Sequence, residues 1–111
     1  MKGKVVRNGG YSIETKERID LGRINANEAI ILSFLPLKWK WIARDADGIL
    51  HIFTSKPRKE RSKYKCWKPE YKTLAEAGRK EFIVFPYRQM FKGVSWSDSQ
   101  PTNIDKLIRG E

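Results

Sequence analysis

The strongest constraint on the fold comes from two β-forming runs that flank a short turn. Residues 39–44 read Trp-Lys-Trp-Ile-Ala-Arg, with large side chains in alternation, and residues 49–54 read Ile-Leu-His-Ile-Phe-Thr. Residues 45–48, Asp-Ala-Asp-Gly, lie between the two runs. Aspartate favours the start of a turn, and glycine accepts the positive φ that such a turn requires. The pattern predicts a β-hairpin over residues 39–54.

The predicted hairpin has a definite register. Pairing Asp45 with Ile49 places Trp41 opposite Phe53 and groups large side chains on each face of the strand pair. We therefore expect Trp41 and Phe53 to be buried cross-strand neighbours. Apolar side chains on both faces indicate an inner pair of strands that is covered from both sides.

Capping residues mark two helix starts. Asn25 or Asn27 suits the N-cap of a short helix over residues 28–35, although two β-branched residues, Ile30 and Ile31, leave a strand interpretation open. Residues 73 and 76, Thr and Glu, have the spacing of a capping box. They predict one or two helical turns from residue 74 to about residue 80.

The C-terminal third contains a strand pattern followed by shorter elements. Residues 81–85, Glu-Phe-Ile-Val-Phe, predict a strand that Pro86 ends. Pro86 also suits the first position of a short helix over residues 87–92, which Gly93 would close. Residues 94–96 favour a short strand. A last turn of helix is predicted from the helical spacing of Ile104, Leu107 and Ile108.

Together these elements predict an α+β fold with a small antiparallel sheet of three to four strands, a central 39–54 hairpin and two to three short helices. A chain of 111 residues suits a single domain, residues 1–111. Residues 1–10 end in Asn-Gly-Gly, and we expect a mobile arm there or a short strand around Val5 and Val6.

Cysteine content and hydropathy bear on the compartment. The single cysteine, Cys66, excludes an internal disulfide and favours a reducing environment. The longest apolar run, residues 29–37, is interrupted by Ser33 and Pro36 and is too short to span a bilayer. We therefore expect a cytoplasmic protein that does not act at a membrane.

Few residues suit catalysis or metal binding. One cysteine and one histidine cannot complete a tetrahedral zinc site, and the turn at residues 45–48 lacks the glutamate that ends a calcium loop. Neighbouring lysines would lower the pKa of the Cys66 thiol if it were exposed, but a packing role beside Trp67 is the favoured interpretation. His51 lies in mid-strand, where packing is commoner than base catalysis. We expect no catalytic residue, no metal and no cofactor, hence no enzyme.

Positive charge is concentrated in one segment. The chain has 23 Lys and Arg against 13 Asp and Glu, a net charge of +10, which favours anionic partners. Residues 56–72 contribute eight basic residues and two acidic ones, a net +6. The predicted binding segment comprises Lys56, Arg58, Lys59, Arg61, Lys63, Tyr64, Lys65, Trp67, Lys68, Tyr71 and Lys72.

Two interpretations of this segment remain open. Lysines and arginines neutralise phosphates, and the interleaved aromatic side chains can stack on unpaired bases, as in nucleic-acid binding surfaces. Alternatively the segment is a solvated loop whose aromatic side chains turn inward, with Trp67 and Tyr71 as buried anchors beside Pro69. Lysine outnumbers arginine in its middle part, which predicts weak sequence specificity.

Part of the chain resembles a known group of proteins. The residues that carry the resemblance are 35–48, Leu-Pro-Leu-Lys-Trp-Lys-Trp-Ile-Ala-Arg-Asp-Ala-Asp-Gly, then Lys56-Pro57, Trp67, and residues 94–102, Val-Ser-Trp-Ser-Asp-Ser-Gln-Pro-Thr. Over roughly residues 35–105 the chain is similar to small uncharacterised proteins of Gram-positive phages and prophages. The resemblance implies a phage early or accessory protein in the host cell cytoplasm, and it assigns no function to any single residue.

The sequence thus supports two hypotheses about function. In the first, a phage-like accessory protein binds nucleic acid or a nucleoprotein complex through residues 56–72, aided by Arg79, Lys80 and the N-terminal lysines. In the second, the protein inhibits a host defence or replication protein through a protein–protein interface, and its charge steers it to an acidic target.

Overall fold

The computed structural model describes residues 22–111. Its elements form a four-stranded antiparallel sheet in the order β5-β2-β1-β6, a separate two-stranded antiparallel sheet of β3 and β4, and three helices. In chain order the elements are α1 (Ala26–Ser33), β1 (Trp41–Arg44), β2 (Leu50–Phe53), β3 (Arg58–Glu60), β4 (Cys66–Lys68), α2 (Leu74–Ala77), β5 (Phe82–Phe85), β6 (Thr102–Asn103) and α3 (Ile104–Ile108). The predicted α+β class is confirmed.

The central hairpin has the predicted register. Trp41 pairs with Phe53, and the Asp45 amide donates to the Ile49 carbonyl oxygen at 2.9 Å. The turn depends on Gly48, whose φ of +93° lies in the left-handed region that favours glycine. A second turn residue contributes a side chain, since the Asp47 carboxylate accepts from the Ile49 amide at 2.9 Å.

The hairpin is an inner strand pair, and each of its faces meets a different cluster. One face carries Ile42, Leu50 and Ile52 into the main core, which also includes buried residues of α1 and α3. The opposite face carries Ala43 and Phe53, which pack against Trp67 with Trp41 and Trp96 at the margin. Phe53 is fully buried as expected, whereas Trp41 is only half-buried because it lies at the edge of this smaller cluster.

Asn25, the first of the two predicted caps, is the N-cap of helix α1, which spans residues 26–33 instead of the predicted 28–35. The Asn25 side chain accepts from the Glu28 amide at 2.8 Å, and the Glu28 carboxylate accepts from the Asn25 amide at 3.1 Å, which completes a capping box. The strand interpretation of Ile30 and Ile31 is wrong. Glu28 is buried, and its second carboxylate oxygen accepts from the Phe91 amide at 2.6 Å. The capping glutamate therefore also bonds to the segment between β5 and β6.

The next two predicted elements are also present. Thr73 caps α2, which is a single turn of four residues. The Glu76 carboxylate accepts from the Lys72 amide at 2.5 Å instead of from the cap residue itself. Strand β5 follows within the predicted residues 81–85 and pairs with β2, which places it at one edge of the larger sheet.

The segment between β5 and β6 differs from the prediction. Residues 87–92 form turns instead of a helix, and Phe91 has a φ of +59°. In a helix over these residues the Phe91 amide would donate to the Tyr87 carbonyl oxygen, whereas here it donates to the Glu28 carboxylate. The carbonyl oxygens of residues 88, 90 and 91 accept from the Arg44 guanidinium. Residues 94–96 also form turns instead of the predicted strand. Gly93 is required by close approach, because a Cβ atom there would overlap the Arg23 backbone.

Helix α3 confirms the spacing of the last three apolar residues, all of which are buried. Strand β6, which the sequence did not predict, lies directly before it and pairs with β1. The predicted arm at residues 1–10 lies outside the described residues. Within residues 22–111, no helix is both long and apolar enough to cross a bilayer.

Candidate functional site

Most of the basic segment folds into a hairpin. Strands β3 and β4 pair antiparallel, with Arg58 opposite Lys68, Lys59 opposite Trp67 and Glu60 opposite Cys66. The strand residues are mainly charged, so they lack the apolar alternation by which a strand is recognised in sequence. We call residues 56–72 the basic hairpin.

Trp67 attaches the basic hairpin to the central hairpin. Its backbone amide donates to the Asp45 carboxylate at 2.8 Å, and its indole N–H donates to the Arg44 carbonyl oxygen at 3.1 Å. Close by, the Ala46 amide donates to the Lys65 carbonyl oxygen at 3.1 Å. The Trp67 side chain is 3% exposed. It is therefore a structural anchor, and its ring face cannot stack on a base.

Lys59 also points inward. Its ammonium group lies 4.2 Å from the ring centroid of Trp96 and 5.3 Å from that of Trp67. It donates to the backbone carbonyl oxygens of Trp96 and Asp98, the latter at 2.8 Å. Desolvation, together with the charge of Arg61, lowers the pKa of Lys59. This lysine joins the basic hairpin to the irregular segment before β6 and does not extend toward a partner.

The loop of the basic hairpin is organised by Glu60. Its carboxylate accepts from the Ser62 amide and hydroxyl, both at 2.7 Å, and from the Tyr64 amide at 3.2 Å. These bonds favour the charged form and lower the pKa of Glu60 to about 2. Because this pKa lies below the ordinary value, the bonds help order the loop above about pH 4.5. That contribution is lost as the pH falls through about 2.

The ordered loop presents positive charge to solvent. Arg61, Lys63 and Lys65 are exposed, and Tyr64 between them is 67% exposed. The Lys63 ammonium lies 5.3 Å from the centroid of the Tyr64 ring. We call residues 61–65 the basic loop.

The remaining predicted residues differ in accessibility. Lys56, Lys72 and Tyr71 are exposed, the last by 48%. Arg58 is exposed but forms an ion pair with Glu70 at 3.1 Å, and Lys68 is half-buried within β4. The structure therefore brings the predicted cations onto one hairpin but leaves only part of them available to a partner.

A depression beside the basic loop includes residues that the sequence did not indicate. It has a volume of about 390 Å³ and is lined by Lys59, Arg61, Lys65, Trp96, Ser97 and Ser99. Two exposed cations and two serine hydroxyls at one site can bind the oxygens of a phosphate or another anion. Only folding brings the serines there, since residues 97 and 99 are more than thirty positions from the loop in sequence.

Cys66 and His51 are the nucleophile and base candidates of the sequence. Burial, together with the charge of Asp45, raises the pKa of Cys66, whereas a reactive thiol needs a lowered pKa. His51 Nδ1 lies 3.3 Å from an oxygen of the Asp45 carboxylate but outside hydrogen-bonding geometry. Among residues 22–111, no three His, Cys, Asp or Glu side chains are grouped so that they could hold a metal ion.

Comparison of the chain with known protein families, with curated proteins and with solved structures gives no match.

Proposed function

We propose that the protein binds the phosphate backbone of nucleic acid through the basic loop and the depression beside it. The observation that carries the proposal is the ordering of Arg61, Lys63 and Lys65 on a loop held by the Glu60 carboxylate. An ordered loop loses less conformational entropy on binding than a mobile lysine-rich segment would. Neutralising phosphates and releasing their counterions then supplies the affinity.

The exposed groups define what such a site can recognise. Tyr64 offers a ring at the tip of the loop and Tyr71 offers a second ring, so a single-stranded partner would gain from stacking. Arg61 is the one arginine of the basic loop, while the other cations there are lysines, which act as point charges. We therefore propose binding that depends weakly on base sequence.

The biological setting belongs to the same proposal. The resemblance over residues 35–105 supports a phage-like accessory protein in the host cytoplasm that acts on nucleic acid or on a nucleoprotein complex. Exposed Arg79 and half-buried Lys80 follow α2, and the Lys80 ammonium donates to the Glu70 carbonyl oxygen of the basic hairpin at 2.5 Å. This contact places a further cation next to the hairpin.

The test replaces Arg61, Lys63 and Lys65 together by Glu and measures affinity for mixed-sequence single-stranded DNA and RNA across a salt series. We expect binding at low salt to be lost. For variants with single replacements, the slope of log affinity against log salt should flatten by about 0.7 per lost phosphate contact, the value for single strands.

A matched control changes the same amount of charge elsewhere. Lys40, Lys92 and Lys106 are exposed outside the basic hairpin, so replacing all three by Glu gives the same net charge. This control should retain most of the low-salt affinity, and the stability of both variants should change little because exposed lysines contribute little to folding. Equal losses of affinity in the two variants, or no binding by the wild-type protein at low salt, would reject the proposal.

A further inference from the structure

Strand β5 forms an apolar edge of the four-stranded sheet. It pairs with β2 on one side, and no other described strand pairs with its far side. Three consecutive large side chains are half-exposed: Phe82 by 45%, Ile83 by 49% and Val84 by 54%. An edge of this kind offers both apolar surface and unpaired backbone groups to a partner.

One hydrogen bond shows which backbone groups of β5 face β2 and which face away from the sheet. The Thr54 amide donates to the Glu81 carbonyl oxygen at 3.0 Å, so Glu81 directs its carbonyl toward β2. Backbone groups alternate in an antiparallel ladder, so Ile83 and Phe85 also face β2. Phe82 and Val84 therefore direct their N–H and C=O groups away from the sheet.

The four residues of β5 include no protecting side chain and no bulge. Soluble proteins shield edge strands with a lysine, a proline or a bulge. Residues 82–85 contain neither a lysine nor a proline, and their ladder with β2 runs through four consecutive pairs. The ring of Phe82 stacks on that of Phe53 with centroids 5.6 Å apart and planes 13° apart, which holds the strand against the sheet.

Charge around β5 indicates the kind of strand that can pair with it. Arg79 and Lys80 precede the strand, and Arg88 follows it. Lys80 and Arg88 donate to the carbonyl oxygens of Glu70 and Asp47, which leaves their positive charge unneutralised. The Glu81 carboxylate forms an ion pair with the Lys38 ammonium at 3.3 Å. Pairing two copies antiparallel would bring these cations together, in a chain whose net charge is +10. An acidic partner is favoured instead.

We propose that β5 binds an extended segment of an acidic protein by strand addition, with apolar residues at alternate positions of that segment and acidic residues at both ends. The partner strand exchanges backbone hydrogen bonds with Phe82 and Val84. Its apolar side chains extend the patch formed by Phe82, Ile83 and Val84. Arg79 and Lys80 lie next to both surfaces. The strand edge itself contains no residue of the basic hairpin, so the inference does not depend on the proposed function.

The test uses a defined probe, the capped peptide Glu-Glu-Val-Thr-Val-Thr-Val-Glu-Glu, with amide hydrogen exchange followed by NMR. We expect the peptide to slow exchange at the Phe82 and Val84 amides, while the Ile83 and Phe85 amides, already bonded to β2, change little. A peptide with Lys in place of each Glu should bind more weakly. A peptide with Pro in place of the central Val should not bind, because the proline removes a ladder hydrogen bond.

Variants of the protein locate the site. Val84→Pro removes an N–H that faces solvent, which edge strands tolerate, and should weaken peptide binding by about tenfold or more. Val84→Thr keeps that N–H and should bind like the wild-type protein. If Val84→Pro does not fold, the proline-containing peptide gives the same information on the intact protein. The triple Glu variant of the basic loop should still bind the peptide.

Several results would overturn this inference. Failure of the acidic peptide to bind at millimolar concentration would reject strand addition. Peptide binding that is lost in the triple Glu variant but kept in Val84→Pro would also reject it, because the peptide would then bind the basic loop instead of β5. Slow exchange at Phe82 and Val84 in the protein alone would show that the edge is already paired. If that protection increased with protein concentration, the strand paired with β5 would belong to a second copy of the chain. If the protection did not change with protein concentration, the paired strand would belong to the same chain.

Discussion

Arg44 lies at the end of β1 and directs its guanidinium group into the irregular segment between β5 and β6. Five backbone carbonyl oxygens accept from it, at distances between 2.6 and 3.0 Å. They belong to Gly48, Arg88, Met90, Phe91 and Val94. The planar guanidinium group has about five N–H donors and can bond to all of these oxygens, whereas a lysine ammonium group has about three donors and cannot.

The first prediction concerns this side chain. Arg44→Lys should lower the free energy of unfolding by about 2 to 4 kcal/mol, because several part-buried carbonyl oxygens lose their donor. Denaturant titration measures the change. Arg88→Lys is the matched control, since exposed Arg88 donates to the Asp47 carbonyl oxygen and its replacement should cost less than about 1 kcal/mol. A loss of similar size in both variants would contradict this account.

Single residues show where sequence interpretation reaches its limit. The pattern of residues 56–72 identified the cations and aromatic side chains but not the direction in which each points. Trp67 is buried because Asp45 and Arg44 accept from its two N–H groups, and both lie more than twenty positions earlier. Lys59 turns inward for a similar reason, since its acceptors are in the segment before β6. Such acceptors exist only after folding.

At the scale of elements, four predictions that rest on local chemistry are confirmed. The turn at residues 45–48, the caps at Asn25 and Thr73 and the β-forming run before Pro86 each act through neighbours in sequence. The helix predicted at residues 87–92 is wrong because two distant side chains hold this segment in turns: the Glu28 carboxylate accepts from the Phe91 amide, and the Arg44 guanidinium donates to three of the carbonyl oxygens. The sequence did not predict the β3–β4 hairpin, because its strands lack alternating apolar and polar residues. The hairpin is held in place by the hydrogen bonds of Trp67 to Asp45 and Arg44.

The central hairpin gives a prediction about energetics. Phe53→Ala should lower the free energy of unfolding by about 3 to 5 kcal/mol, since Phe53 is fully buried between Phe82 and the Trp67 cluster. Trp41→Ala should cost only about 1 to 3 kcal/mol, since Trp41 is half-buried. Thermal or denaturant unfolding of the two variants measures the difference. A larger loss for Trp41→Ala would mean that the Trp41 ring packs more tightly than its exposure indicates.

At the scale of the whole molecule, the net charge of +10 should affect stability and binding in opposite ways. Repulsion among exposed cations destabilises the compact state, and salt screens it over a Debye length of about 10 Å at 0.1 M. We expect the melting temperature to rise by a few degrees as sodium chloride increases from about 20 to 200 mM. The nucleic-acid binding that we propose for the basic loop should weaken over the same range.

The triple Glu variant of the basic loop is the control for this whole-molecule prediction. It carries less net charge, so its melting temperature should respond less to salt than that of the wild-type protein. Calorimetry or circular dichroism at matched protein concentrations measures both responses. A melting temperature that falls as salt increases would indicate that attractive ion pairs outweigh repulsion in this molecule.

The long-range contacts of the irregular segment have a consequence for biosynthesis. The Arg44 guanidinium donates to the Val94 carbonyl oxygen, which follows it by 50 residues. The Glu28 carboxylate accepts from the Phe91 amide, which follows it by 63 residues. During translation both charged side chains therefore leave the ribosome before their partner residues have been synthesised. Until then water hydrates both charged groups in the nascent chain. Strand β1 also lacks its neighbour β6 until residue 102 has been added. The four-stranded sheet therefore cannot be complete before residue 102 has been synthesised, whatever the order in which its other strands pair.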